Sequence, residues 1–437
     1  MTASEDTGTA ASQLRRVTQA LQRFIHVEAA GGVVLLVCTL FALAFANSPL
    51  SYEFLSIWKT ELGLSLGAIE FSHSLKHWIN DGLMAIFFFV IGLEVKRELT
   101  LGELRDPRQA ALPIVGAIGG MIVPAGIYLA LQAGEPGMRG WGVPMATDIA
   151  FVVGCMAILG KRVPRGLRVM ILSLAIADDV GAILVIAIGY TDSINLLSLA
   201  LGVVGIGAVL GLSRLGVRRV SIYVIVGSLV WLAFHESGVH ATIAGVILGL
   251  LTPSRSHGSP ARVGEALNWL QRIFEGHDRG HHERPDAVRG ARQAIRETIS
   301  PLEYLENTLH PWVAFLIMPV FALANAGVPI VLSDLTHPVA VATAAGLVIG
   351  KPLGITLMAV LAVRFGIASL PESVTWRQII GGGLLAGIGF TMALFIASLA
   401  FEGELLNASK VGILVASALS AIAGFAILAT GGAKRVD

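Results

Sequence analysis

The sequence has little charge, few aromatic residues and only two cysteines. Of its 437 residues, 14% are charged, against about a quarter in ordinary soluble domains, so a water-soluble enzyme is nearly excluded. Cys38 and Cys155 both lie inside apolar runs, which leaves neither a disulfide framework nor a cysteine-based zinc cluster. The formal net charge of +1 lacks the basic excess of a nucleic-acid-binding protein.

Apolar residues and glycine are what the chain has in abundance. Hydrophobic residues make up 54% of it and 50 residues are glycine, while aromatic residues reach only 7%. This balance is typical of helices that pack through small residues in lipid. We therefore predict an all-α membrane protein with twelve transmembrane helices, each crossing about 30 Å of hydrocarbon. The predicted segments lie near residues 29–47, 78–96, 110–131, 141–159, 169–190, 196–213, 220–236, 239–252, 309–326, 339–363, 379–400 and 409–430.

The basic residues predict the orientation of the chain. Of the 31 Lys and Arg residues, 26 fall in the two termini and the loops on the same side, four fall on the opposite side, and Lys351 lies within a span. Cytoplasmic loops carry the excess of Lys and Arg, so both termini are expected in the cytoplasm. The chain is then divided into a tail at 1–28, one transport domain at 29–430 and a short tail at 431–437.

Two loops stand out from the spans. The loop 48–77 contains an alternating stretch at 64–71 that predicts a small outer β-hairpin, and its free edge could pair with a second copy in a homodimer. A plain surface hairpin is the alternative. The loop 253–307 is rich in Arg and contains four histidines; metal binding is one interpretation, and contact with anionic lipid headgroups is the favoured one.

A few ionisable residues remain inside the predicted spans. Each costs about 2.5–3.5 kcal/mol near the bilayer centre, which makes it a functional candidate by default. The residues are Asp148, Asp178, Asp179 and Lys351, with Asp81 and Glu94 at the two ends of the second span. One site assembled from distant segments is the functional interpretation, and a helix-packing ion pair between Asp178 and Lys351 is the structural one.

Asp178 and Asp179 are expected to have different roles. Neighbours on a helix point about 100° apart, so one carboxylate can pair with Lys351 while the other faces a water-filled funnel. A proton and a small hard cation would compete for the second carboxylate. If the protein opens to one side at a time, that competition alone makes an antiporter.

Glycine and proline interrupt the fourth and eleventh spans. Gly140, Gly142 and Pro144 precede Thr147 and Asp148, and a similar glycine series ends at Gly389, just before Thr391. Broken helices at matching positions of two inverted repeats, here about 110–190 and 339–430, mark the binding site of many transporters. The crossed helix ends would need an anion and a cation to offset their dipoles, and Asp148 and Lys351 have the right signs. Glycine-rich packing without function is the alternative.

The ordered motifs around these residues resemble the NhaA family of bacterial sodium/proton antiporters. The resemblance extends over nearly all of 29–252 and 308–430. The matching stretches are Trp78–Ala85, Gly92–Glu98, Ala146–Phe151, Ala175–Gly181, Ser237–Thr242, Ile349–Gly354 and Gly387–Met392.

The resemblance implies roles for the residues in the spans. Asp179 would be the main carboxylate that binds sodium or lithium, and Asp178 would be bridged to Lys351 when sodium is absent. Asp148 and Thr147 would assist at the crossing of the broken helices. Gly389 and Thr391 belong to a matching stretch and are expected to support that crossing.

The resemblance also implies how such a protein works as a whole. Glu94 and Glu98 would lie at the cytoplasmic funnel mouth and contribute to pH activation, while Asp81 would belong to the outer funnel. The family is electrogenic, is located in the bacterial inner membrane among its lipids, and forms dimers through the outer hairpin. No cofactor is expected beyond the transported Na⁺ or Li⁺ and H⁺.

Functions of other classes fit the sequence less well. An intramembrane aspartyl protease needs two aspartates that share one proton, and adjacent residues on one helix cannot form that pair. A sodium-coupled symporter or a cation channel on the same scaffold remains open, because fold does not fix function. A symporter would need a further polar pocket that the spans do not suggest. The prediction is a secondary antiporter and not an enzyme.

Overall fold

The computed structural model describes residues 29–66, 69–191, 194–217, 219–254, 300–371 and 373–430, without the side chains of 64–71. The predictions for the tail at 1–28, for most of the loop 253–307 with its histidines and for the tail at 431–437 lie outside these residues. Every one of the twelve predicted spans falls within the described ranges.

Eight helices in the described part of the chain are long and apolar enough to cross a membrane. We number all twelve predicted segments α1 to α12 in chain order. The eight are α1 (Ala29–Ala46), α2 (Leu75–Thr100), α3 (Pro107–Leu131), α5 (Arg165–Gly189), α6 (Leu196–Arg214), α9 (Pro301–Asn325), α10 (Pro338–Arg364) and α12 (Gly403–Thr430).

The other four segments are broken or short. Two are bent pairs of helices: α4 (Pro136–Met145 and Ile149–Arg162) bends by 41°, and α11 (Trp376–Ala386 and Phe390–Ala400) bends by 46°. The two shorter apolar helices are α7 (Val220–Glu236) and α8 (Ala241–Leu251). The expectation of an all-helical, multi-span membrane protein with two broken spans is confirmed.

The predicted hairpin is present between α1 and α2. Strands β1 (Glu61–Leu66) and β2 (Ile69–Ser74) pair antiparallel, following a short helix at Ser51–Ile57. The alternating stretch at 64–71 therefore includes the inner half of each strand. The indole nitrogen of Trp78, in the first turns of α2, donates to the carbonyl of Leu62 at 2.9 Å, which fixes the hairpin to that end of the helix bundle.

The helix α9 begins earlier than its apolar segment predicts. Ser300 accepts a hydrogen bond from the Glu303 backbone and the Glu303 side chain accepts one from the Ser300 backbone, a capping box. Pro301 fits the first turn because its missing N–H would have no partner there. Residues 301–307, predicted as the end of a loop, are therefore helical, and polar side chains in them reach the bundle interior.

The first helices of the two predicted repeats, α3 and α10, pack with their backbones in contact. A Cβ added to Gly119 would lie 2.3 Å from the Gly354 carbonyl oxygen, and one added to Gly354 would lie 2.1 Å from that of Gly119. Only glycine allows this approach. At the next residue of α3, a Cβ on Gly120 would lie 3.8 Å from Cε of Lys351, which precedes Gly354 by about one turn of α10, so the same contact places the lysine side chain in the interior.

Candidate ion site at the crossing of two broken helices

The break in α4 results from glycine and proline. Its first half is a 3-10 helix that contains Gly140, Gly142 and Pro144, and the chain is extended at Ala146 and Asp148 before the second half begins. Backbone groups freed by such a break need protein partners inside a membrane. One is supplied by Tyr190, whose hydroxyl accepts from the Gly142 N–H at 3.1 Å.

The break in α11 lies directly beside the break in α4. The backbone N–H of Asp148 donates to the Ile388 carbonyl at 2.7 Å, and the Thr147 hydroxyl donates to the Ala386 carbonyl at 2.9 Å. Gly389 fits the same crossing, where an added Cβ would lie 3.2 Å from the Ala146 carbonyl oxygen. Carbonyls left open by one helix are therefore satisfied by the other.

The Asp148 carboxylate caps both second halves. Its Oδ1 accepts from the Phe151 N–H at 3.3 Å, and its Oδ2 accepts from the Thr391 N–H at 3.0 Å and from the Thr391 hydroxyl. The two helix N-termini carry partial positive charge, so one buried carboxylate offsets both. At 2% exposure, this charge is stabilised by the caps instead of by water.

Lys351 provides the opposite charge. Its ammonium group is fully buried and donates to the Met145 carbonyl, at the end of the first half of α4. The same group donates to Oδ2 of Asp178 at 2.6 Å. Lys351 thus meets the negative end of a half-helix and a carboxylate of α5 at once.

Asp178 and Asp179 differ in their surroundings. Oδ2 of Asp178 is occupied by Lys351, and Oδ1 is buried without a hydrogen-bond partner among the described residues. Asp179, which is 3% exposed, lines a cavity. No group in the described part of the chain donates a hydrogen bond to its carboxylate. Asp179, whose two carboxylate oxygens both accept no hydrogen bond from the described residues, is therefore the carboxylate that faces the open space.

The cavity beside Asp179 has a water-accessible volume of about 50 Å³. One water needs about 10–15 Å³ by this measure, so there is room for a small hydrated cation or a few waters. Its walls come from α1, α2 and α9 on one side and from α4, α5 and α11 on the other. Its polar lining consists of Glu94, Thr147, Asp148, Asp179, His310 and Thr391.

Glu94 lines the cavity and also belongs to a second group of charged side chains, which extends away from the cavity along α2 and α9. The imidazole Nε2 of His310 lies 3.9 Å from Oε1 of Glu94. One turn along α2, Arg97 donates to the buried carboxylate of Glu306 and lies 3.5 Å from Oε1 of Glu98. Glu98 is therefore joined to this group through Arg97, although it does not line the cavity.

Three members of this group, Arg97, Glu306 and His310, are absent from the sequence-based candidates. Glu306 and His310 lie four residues apart, on one face of α9, and point into the bundle. The prediction placed the start of this span at 309, so Glu306 fell into a loop. The spacing of four, together with the serine, proline and glutamate at 300–303, was the available signal.

Asp81 lies apart from the cavity, near the hairpin. Its Oδ2 is 3.6 Å from Nε2 of His77 and 3.3 Å from Nδ1 of His235. The structure thus brings Glu94, Asp148 and Asp179 to one cavity, with Lys351 and Asp178 behind it, and leaves Asp81 at the hairpin end of α2.

Comparison with known proteins agrees with this architecture. Residues 22–428 match the family model described as Na+/H+ antiporter 1. The chain is 58% identical over 407 residues to the Na(+)/H(+) antiporter NhaA of Rhodopirellula baltica, covering 93% of this chain and 92% of that protein. It is 54% identical to NhaA 2 of Acidiphilium cryptum (94% and 92% coverage) and 52% identical to NhaA of Rhizobium meliloti (94% and 95%).

These matches extend through both broken helices and the hairpin, so they concern the whole fold and not one motif. They confirm the resemblance read from the sequence and the expectation of a transporter in place of an enzyme. The chain belongs to the NhaA family of Na⁺/H⁺ antiporters.

Proposed function

We propose that this protein exchanges Na⁺ or Li⁺ for H⁺ across the bacterial inner membrane, with Asp179 as the group for which the ions compete. The observation that carries the proposal is the contrast between the two neighbouring carboxylates. Asp178 is held by Lys351 at 2.6 Å, whereas Asp179 faces the cavity. The relatives' names state Na⁺ and H⁺ as the exchanged ions.

The charges around the crossing leave room for one further positive charge. Lys351 neutralises Asp178, and two helix N-termini offset Asp148, so Asp179 is the carboxylate without a compensating partner. A buried carboxylate without one strongly favours either a proton or a bound cation. Oxygen ligands suit a small hard cation, and the hydroxyls of Thr147 and Thr391 lie in the same cavity. Occupation by one ion excludes the other.

Electrogenic exchange follows if cation binding also disturbs the neighbouring pair. A cation that draws the free Oδ1 of Asp178 toward Asp179 would weaken the hold on Lys351, which could then lose a proton. More protons than cations would be exchanged per cycle. Lys351 is thus proposed as a charge partner that takes part in the cycle, beyond its role in packing.

We also propose that the group at Glu94, Arg97, Glu98, Glu306 and His310 regulates access to the cavity with pH. It joins α2 to α9 through carboxylate, guanidinium and imidazole contacts. An imidazole group changes charge within the physiological pH range. Protonation would alter the contacts between these helices at the cavity mouth.

The orientation and assembly are proposed from charge and shape. Basic residues are concentrated in the termini and in the loops at the Arg97 end of the bundle. We therefore assign that end and both termini to the cytoplasm, and the hairpin to the outside.

The paired strands β1 and β2 still have free outer edges among the described residues, which suits a homodimer contact through the loop 48–77. The segment 29–430 is proposed as one transport domain containing the inverted repeats 110–190 and 339–430.

The test uses inside-out vesicles whose lumen is acidified by respiration. Added Na⁺ or Li⁺ should release luminal protons, reported by recovery of a quenched pH-sensitive dye, and K⁺ serves as the comparison cation. Asp179→Asn should abolish the release, while Asp334→Asn, in the short helix Leu332–Leu335 far from the crossing, should leave it intact. Vigorous release by the Asp179→Asn protein would refute the site, and a proton gradient unaffected by any cation would refute antiport.

A further inference from the structure

A second cluster of ionisable side chains lies at the hairpin end of the bundle. His73 comes from strand β2, His77 and Asp81 from the first turns of α2, and His235 from the last turn of α7. The ring centres of His73 and His77 are 4.3 Å apart, and those of His77 and His235 are 5.3 Å apart. Three separate elements therefore bring imidazoles to one point, away from the transport cavity.

The ligand atoms of this cluster are close enough to share one ion. One nitrogen from each of the three histidines lies within 4.8 Å of the other two. Oδ2 of Asp81 is 3.3 Å from Nδ1 of His235 and 3.6 Å from Nε2 of His77. Tetrahedral zinc with bonds of about 2.0–2.1 Å separates its ligand atoms by about 3.3 Å. The rings of His73 and His77 are stacked, with 25° between their planes, so ion binding requires one of them to rotate about its side-chain bonds.

The nitrogen of His77 is available to a ligand. Nε2 of His77 is buried and has no hydrogen-bond partner among the described residues, and its distance of 3.6 Å from Asp81 is too long for a hydrogen bond. A buried polar atom without a partner is costly. A metal ion held between His77, His235 and Asp81 would satisfy this atom.

The backbone around the cluster is already held in place. The indole of Trp231 donates to the Asp81 carbonyl at 3.1 Å and stacks on the ring of His235, with centroids 5.6 Å apart. Ser74 caps the start of α2 by accepting from the His77 N–H at 3.2 Å. Such outer contacts orient ligands and raise affinity in metal sites.

We propose that His73, His77, His235 and Asp81 form a Zn²⁺ site that fastens the hairpin to α2 and α7. Imidazole nitrogens select zinc and similar transition metals over Na⁺ or Mg²⁺, which take oxygen ligands. The site is therefore chemically distinct from the transport site. Because His73 belongs to β2, the bound ion fixes the position of the strand pair relative to the bundle.

The test measures zinc binding by the purified full-length protein in detergent. Histidines at 257, 277, 281 and 282 could bind zinc independently, so the experiment is done in a background where all four are changed to Gln. After treatment with a chelator, the protein is titrated with ZnCl₂ in competition with a chromophoric zinc indicator. One zinc per chain is expected, and X-ray absorption should report three imidazole nitrogens and one oxygen at about 2.0–2.1 Å.

Single substitutions identify the ligands. His73→Asn, His77→Asn and His235→Asn should each weaken zinc binding at least tenfold. His337→Asn is the matched control, since His337 lies outside the cluster and its side chain caps α10, a role that Asn can keep; it should bind zinc like the parent protein. Size-exclusion profiles and Na⁺-driven proton release show that each variant is folded.

Two results would overturn the proposal. The first is the absence of stoichiometric zinc in the background lacking the loop histidines. The second is equal zinc affinity in the parent and in folded variants of His73, His77 and His235. Because transport is measured separately, a failure of the zinc site leaves the proposed antiport untouched, and a failure of antiport leaves the zinc titration interpretable.

Discussion

The two broken helices bend by nearly the same angle but differ in chemistry. They bend by 41° and 46° at breaks of three residues, and they cross side by side. The break in α4 meets full charges: Asp148 at the start of its second half and the ammonium of Lys351 at the end of its first half. The break in α11 contains no charged side chain of its own.

The difference shows that α11 depends on charge supplied by α4. Its second half is capped by Asp148 from the other helix, and its first half ends on a carbonyl that Thr147 of α4 satisfies. A single carboxylate therefore stabilises two helix N-termini, and α4 should be the more sensitive of the two breaks to substitution. The predictions below test that asymmetry by measuring thermal unfolding of the purified protein.

Lys351→Met should have the largest effect. It leaves the Asp178 carboxylate and the Met145 carbonyl buried without their cation, and breaking a buried ion pair in this way costs about 3–5 kcal/mol. The double variant Lys351→Met/Asp178→Asn is the control, because it removes both charges and should recover part of the stability. A double variant less stable than Lys351→Met would show that the pair contributes little.

Asp148→Ala should come next. It removes the caps of two helices, worth about 1 kcal/mol each, and a hydrogen bond from Thr391 to a charged group, so we expect a loss of about 2–3 kcal/mol. Asp148→Asn keeps an acceptor oxygen and should lose less. If α4 and α11 were stabilised independently, Asp148→Ala would cost no more than a single cap.

Thr391→Val should destabilise the crossing less, by about 1.5 kcal/mol, because only the hydroxyl bond to Asp148 is lost. The backbone N–H of residue 391 still donates to the carboxylate. Thr391→Ser, which keeps the hydroxyl, is the matched control and should remain close to the parent. A Thr391→Ser protein as unstable as Thr391→Val would point to lost packing of the methyl group.

Thr147→Val should have the smallest effect, about 1 kcal/mol, since it breaks a neutral hydrogen bond to the Ala386 carbonyl. The backbone bond from Asp148 to Ile388 would still join the two helices. A loss larger than that of Asp148→Ala would invert the order and show that the neutral contacts, not the charges, stabilise the crossing.

Much of the fold could be predicted because a membrane span requires a long apolar segment, which is visible in the sequence. Apolar length located the eight spans and the two broken pairs, and it marked α7 and α8 as apolar helices although both are shorter than a span. Glycine with proline marked both breaks. Alternation of polar and apolar residues found the hairpin. The start of α9 was placed too late, because the polar, capped turns after Ser300 lack the hydropathy that defines a span.

For the candidate site, the sequence predicted which residues take part better than it predicted the hydrogen bonds that join them. Ionisable side chains within apolar segments marked Asp148, Asp178, Asp179 and Lys351 as candidates, and the structure places all four near the crossing. The double cap on Asp148 depends on two helices crossing at a specific angle, which one-dimensional spacing does not contain. The four-residue spacing of Glu306 and His310 marks a helix face, but it does not show the contact of Glu306 with Arg97 on α2. His235 is far along the chain from His73 and His77, so no local pattern joins the three histidines.

The close approach of Gly119 and Gly354 has a mechanical consequence. A carbonyl oxygen of each helix lies where a side chain on the other would stand, so we expect α3 and α10 to move together and to carry Lys351 with them. The cavity lies between the helices α1, α2 and α9 and the helices α4, α5 and α11. We expect a movement that alternates access to change the contacts between these two groups of helices and to leave the Gly119–Gly354 contact intact.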